Sequence, residues 1–154
     1  MFNGHGDSQS ICGHKDEVIV SSKENPEVLK NSITYALSCS SAFRLGPEAV
    51  KKGAVCFIGY DSDFAIGRDE ESEAAPSKDK IAKLFLEPSN ILVKNILKGN
   101  RVELAIDKAK KIMKENINYL HTTEDFPEAI DYAPYLFANY VGLVAHGDMQ
   151  ASIV

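Results

Sequence analysis

The sequence is poor in the features that would place it outside the ordinary globular class. It has three cysteines, Cys12, Cys39 and Cys56, an odd number without a disulfide-like spacing. Reduced thiols in a cytoplasmic protein are therefore expected rather than a secreted, disulfide-bonded framework. Basic residues are also in the minority: 17 Lys and Arg against 22 Asp and Glu leave a net charge of −5. Lacking a basic stripe, the chain is a poor candidate for binding nucleic acid or an anionic membrane surface. No apolar run approaches the length of a membrane span, and the start has no charged segment leading into an apolar one. Internal repeats and low-complexity tracts are missing too. The triplet HGD occurs at residues 5–7 and 146–148, but it is too short to count as a repeat.

What remains is enough for one domain with a real core: 154 residues, 44% hydrophobic and 25% charged. NSITYALS (31–38) is rich in β-branched and aromatic residues and reads as a buried strand. GPEAVKKG (46–53) has Pro47 near its start, lysines late and Gly53 after them, which suits a short helix. AVCFIGY (54–60) is a second buried strand, and Cys56 within it is most simply a small buried hydrophobe. Strand, helix, strand within about thirty residues points to a βαβ crossover, hence an α/β domain with a parallel sheet covered on both faces.

GRDEESEAAPSKDK (67–80) is acidic and broken by Pro76, and reads as a charged, solvated loop. Three helical stretches are expected after it. SKDKIAKLFLE stops at Pro88, and PSNILVKNILKG runs from there to Gly99. The third is capped by Asn100, with Val102, Ile106, Ala109, Ile112, Met113 and Ile117 as its core stripe. FPEAIDYAPYLFANYVGLVAHGD is expected to be a helix, kinked at Pro134, that turns into a short strand near Leu143–Ala145.

Active sites of open parallel sheets form at the carboxyl ends of the strands. Cys39 falls there, flanked by the small residues Ser38, Ser40 and Ser41. Helix N-termini nearby would stabilise its thiolate, and its own N–H would serve an oxyanion hole. FNGHGD places glycines on both sides of His5, as in a tight loop after a strand, and Gly6 offers a second oxyanion donor. An imidazole and a thiol at neighbouring strand tips suffice for acyl transfer.

NGHGD, SCSSA and KKGAVCFIGY, in that order, resemble the caspase-fold cysteine peptidases of the gingipain, CHAT and separase kind. In that family a His-Gly follows one strand and a Cys follows the next. The tail GLVAHGDMQASI is similar to the closing segment of gingipain-like members, with Met149 where a proline often stands. The resemblance implies a three-layer α/β/α sandwich and a polypeptide substrate. It implies His5 as general base and acid, Cys39 as nucleophile, Gly6 and Cys39 as oxyanion donors, and no cofactor or metal. Asp61 or Asp63 falls where relatives that cut after Arg or Lys place an acidic specificity residue. The family supplies at least two strands and a helix before the His-Gly strand, so the domain is expected to be truncated at its N-terminal side. An upstream segment or a partner chain would then complete the sheet.

Rival readings stay open. Cys39 is either this nucleophile or a core thiol, and His5 is either a base or a loop histidine near a frayed terminus. His146 is a competing base, though its HGD also reads as the turn after the last strand. Asp61 and Asp63 fit a plain turn equally well. Cys12 in a polar loop, His14, His5 and Cys39 are soft ligands, although their spacing matches no zinc pattern. His121 sits at a helix end, where a cation is favourable. A non-catalytic interaction module of the same fold, or a fragment inert without upstream sequence, is the alternative to a peptidase.

Overall fold

The computed structural model describes residues 1–68, 79–125 and 128–153. Its strands are β1 (Phe2–Asn3), β2 (Ser10–Cys12), β3 (Val18–Ser21), β4 (Ile33–Leu37), β5 (Cys56–Tyr60) and β6 (Leu143–Gly147). The helices are α1 (Leu45–Lys51), α2 (Lys80–Leu97), α3 (Val102–Thr122) and α4 (Ala129–Gly142). Four strands form one sheet in the order β1-β4-β5-β6, with β1, β4 and β5 parallel and β6 antiparallel to β5. The expected βαβ crossover is therefore present as β4-α1-β5, and the fold is mixed α/β with a mostly parallel sheet.

Period-two alternation sorts the strand residues between two layers. Tyr35, Leu37, Cys56, Ile58 and Tyr60 face α2, α3 and α4, where they meet Phe85, Leu92, Met113 and Leu136. Ala36 and Phe57 face the other way, onto Leu45 and Ala49 of α1 and onto Ile11 and Val20 of the β2–β3 hairpin. That antiparallel hairpin was not expected: Cys12 lies in β2, not in a polar loop. Its strands are only three and four residues long, too short to show a period.

Two expectations about helices and one about a strand are corrected. Pro88 does not end a helix, because α2 runs through it without a break. Proline leaves the carbonyl four residues back without its helical donor, and here Asn116 Nδ2 donates to that carbonyl, Leu84 O, at 2.8 Å. Asn100 does not cap α3. Arg101 holds that position, and Asn100 donates its backbone and side-chain N–H groups to Asn95 instead, at 3.1 and 2.9 Å. Pro134 lies inside α4, and β6 extends to Gly147, so His146 belongs to a strand and not to the turn after it. The expected loop over 67–80 falls largely on residues 69–78, outside the described residues. At its end, Asp79 accepts from Ala82 N–H at 2.8 Å and caps α2. Among the described residues, no helix is long and apolar enough to cross a membrane.

Candidate functional site

β1 and β4 pair in parallel, Phe2 with Ala36 and Asn3 with Leu37. Gly4 N–H continues the ladder to Leu37 O at 3.2 Å. Two residues further on, a Cβ added to Gly6 would stand 3.0 Å from Ser38 Cβ. His5 and Cys39 thus leave the carboxyl ends of adjacent parallel strands, which lie about 4.8 Å apart.

The side chains around Cys39 divide between the two faces of the sheet. Ser38 points to the α1 side, with its Oγ donating to Ser41 Oγ at 2.8 Å. Cys39 therefore points to the opposite side, and its Sγ lies 4.0 Å from the carbonyl of Phe64, a residue packed on the α2–α4 core. Gly6 would carry its Cβ on the Ser38 side. His5 is exposed and Cys39 is half-buried. Among the described residues no hydrogen bond yet joins them.

The loops carrying these residues are fastened to one another. Ser8 O, three residues after His5, accepts from Arg44 N–H and Leu45 N–H, both at 3.1 Å. This corrects one expectation: the first N–H groups of α1 point at Ser8 and not at the Cys39 sulfur. The N–H groups of Gly6 and Cys39 are placed differently. The bonds Asp7 N–H to Ser10 O and Cys12 N–H to His5 O flank Gly6, so its own N–H stays out of that ladder. Among the described residues, neither Gly6 N–H nor Cys39 N–H has a backbone acceptor.

The loop after β5 is tied to the turn that follows Cys39. Ser40 N–H donates to Ser62 O at 2.9 Å, and Ser40 Oγ donates to Asp63 Oδ1 at 2.7 Å. Asp61 is exposed, and among the described residues its carboxylate accepts no hydrogen bond. Asn139 of α4, only 1% exposed, anchors the far end of the loop. Its Oδ1 accepts from Ala65 N–H at 2.9 Å and its Nδ2 donates to Ala65 O at 2.7 Å. Sequence reasoning missed Asn139. The one available signal was an amide recurring on the apolar face of a helix.

The other candidates lie elsewhere. His146 pairs with Phe57, and by the β4–β5 register Cys39 stands level with Ser62, five positions on. That is about 16 Å along the strands. His146 packs instead against Gly46 of α1, where an added Cβ would meet its Cδ2 at 2.8 Å. The two HGD triplets share a turn chemistry: Asp7 accepts from Gln9 N–H at 2.7 Å and Asp148 from Gln150 N–H at 2.8 Å. The Gln9 bond, helped by those from Ser10, holds the Asp7 carboxyl below its usual range. Burial pushes the Cys56 thiol up to about 11, with Asp148 adding to the rise. Cys12, His14, His5 and Cys39 do not gather as a metal site: among the described residues no three His, Cys, Asp or Glu side chains are placed to hold an ion.

A scan against protein-family models gave no match, and neither the curated proteins nor the solved structures compared with this chain gave one.

Proposed function

We propose that the chain is a cysteine endopeptidase of the caspase-like, gingipain or CHAT type. The observation that carries this reading is the parallel pairing of β1 with β4, which puts His5 and Cys39 just past the carboxyl ends of adjacent strands. His5 takes the thiol proton, and the Cys39 thiolate attacks the peptide carbonyl carbon. The oxyanion rests on the N–H groups of Gly6 and Cys39. Collapse of the tetrahedral adduct breaks the C–N bond, and His5 returns the proton to the leaving amine. Water, deprotonated by His5, then hydrolyses the thioester.

Asp61, with its unengaged carboxylate beside the thiol loop, suits a substrate Arg or Lys side chain. Asp63 is the second acidic candidate. The three unpaired thiols fit a reducing, cytoplasmic setting. Among the described residues β1 has no strand on its outer side. A strand from upstream sequence or from a partner chain would add there.

Labelling with a peptidyl-Arg acyloxymethyl ketone, read by intact-protein mass spectrometry, tests the proposal. One adduct is expected on the wild type and none on Cys39→Ala, with His5→Ala slowing labelling at least about a hundredfold. Equal labelling of wild type and Cys39→Ala would sink it. That result would favour a non-catalytic interaction module, which the exposed apolar row Ile130, Phe137 and Val141 on α4 also suits.

A further inference from the structure

The residue after the candidate nucleophile is in an unusual conformation. Ser40 has φ +52°, in the left-handed region that non-glycine residues seldom adopt. Such a conformation persists when its surroundings over-determine it, and it gathers at functional turns. Two bonds hold Ser40 there: N–H to Ser62 O at 2.9 Å and Oγ to Asp63 Oδ1 at 2.7 Å. Both acceptors belong to the loop after β5, so the turn that presents Cys39 is tied to the neighbouring strand as well as by its own Ser38–Ser41 bond. On the other side of Ser40, Phe43 N–H donates to Ser40 O at 2.9 Å and starts the approach to α1. Strand, strained turn and helix is also how some hydrolases raise a nucleophile above a sheet.

We propose that Asp63 is a positioning residue: through Ser40 Oγ it holds the left-handed turn that fixes the direction of the Cys39 sulfur. This rests on reading Cys39 as the nucleophile, and it reassigns Asp63 from substrate recognition to nucleophile presentation. Asp61, two residues earlier and among the described residues without a hydrogen bond to its carboxylate, is left as the acidic group for a cationic side chain. The carboxylate of Asp63 acts as an acceptor for a hydroxyl proton, and its charge is secondary. Asparagine, whose amide oxygen accepts the same bond, should therefore replace it. A glycine in place of Ser40 adopts positive φ at no steric cost and should make the clamp dispensable.

The test compares Asp63→Ala, Asp63→Asn, Ser40→Gly and the Ser40→Gly/Asp63→Ala double variant, all carrying Cys12→Ser. Two readouts are used: the iodoacetamide rate of Cys39 from about pH 6 to 9, and kcat and KM on paired peptides ending in Arg or in norleucine. Asp63→Ala should shift the pH profile of Cys39 alkylation and lower kcat roughly tenfold on both peptides, with KM unchanged, as for a displaced reacting group. Asp63→Asn should recover most of that loss. In the Ser40→Gly background, removing Asp63 should change either readout by less than about twofold. A rise in KM confined to the Arg peptide would overturn the proposal and return Asp63 to the specificity pocket. So would equal losses from Asp63→Ala whether position 40 carries the native serine or the Ser40→Gly change. If the wild type cleaves neither peptide, the peptidase reading fails by itself, and the alkylation series still decides whether Asp63 governs Cys39 through Ser40.

Discussion

Asn116 of α3 donates its side-chain amide to the carbonyl of Leu84, 2.8 Å away, and that is the carbonyl Pro88 leaves without a helical donor. One helix therefore supplies the hydrogen bond that the other helix's proline removes, and α2 crosses Pro88 unbroken. Asn116 is 9% exposed, so water has little access to replace it. Asn116→Ala should cost about 1–3 kcal/mol by leaving a buried acceptor unpaired. In a Pro88→Ala background the new N–H at position 88 serves Leu84 O, and the same change should cost about 1 kcal/mol less. Urea unfolding of the four proteins checks this. Equal costs in both backgrounds would mean that the Asn116 amide is not compensating for the proline.

Asn139 plays a comparable part nearer the site, since its carboxamide satisfies both backbone groups of Ala65. Asn139→Ala should destabilise the fold by about 2–3 kcal/mol, because a donor and an acceptor both lose their partners. It should also free the carbonyl of Phe64, which lies beside the Cys39 sulfur, and so raise the iodoacetamide rate of Cys39 at mildly alkaline pH. A chemical-denaturation curve and a timed alkylation series measure the two effects separately. A stability loss with no change in the Cys39 rate would limit Asn139 to holding α4 against the loop.

The β4-α1-β5 crossover was legible because two continuous apolar runs flank a helix bounded by Pro47 and Gly53. Gly53 indeed takes φ +101° just after α1. The placement of Cys39 past a strand end followed from the same pattern. Pro88 misled because the partner that neutralises it, Asn116, is 28 residues away (116 minus 88), and no local rule sees such a contact. The hairpin was invisible for a different reason: Ile11 and Val20 are its buried apolar residues, too few to make a period. The tie from Ser8 O to Arg44 and Leu45 is backbone to backbone and leaves no mark in side-chain identity. His146, weighed as a rival base but favoured as part of a turn after the last strand, lies within β6 itself, because the strand runs two residues further than its apolar stretch suggested.

Gly6 supplies a direct check on the strand-tip geometry. A methyl group there would fall 2.9 Å from Ser10 O and 3.0 Å from Ser38 Cβ, both closer than such contacts normally allow. Gly4 is less confined, its nearest neighbour being Cys12 O at 3.2 Å. Gly6→Ala should therefore push the His5 loop away from β4 and slow ketone labelling of Cys39 about tenfold or more. Gly4→Ala should have the smaller effect. The reverse order would mean that the Gly6–Ser38 contact does not set the spacing of the two loops.

Cys56 gives a pH-dependent test of the core. The folded thiol ionises at about 11 instead of the usual 9.0, chiefly because burial disfavours the thiolate, with Asp148 adding to it. Below about pH 9 both folded and unfolded chains keep the proton, and the burial of the neutral thiol contributes its full stability. Between about 9 and 11 the unfolded chain loses that proton first, so stability falls as pH rises through this window, by on the order of 1–2 kcal/mol. Tyr35 and Tyr60, raised from 10.0 mainly by burial, add a further decline above that value. Comparison with Cys56→Ala removes their share, because both proteins keep the tyrosines. The difference in urea midpoint between wild type and Cys56→Ala should stay constant from about pH 7 to 8.5 and then move against the wild type. Asp148→Asn should weaken that drift slightly, since its charge is the lesser cause. A difference that stays flat to about pH 11 would place the Cys56 thiol in contact with water, and the β5–β6 side of the core would then be more open than the structure describes.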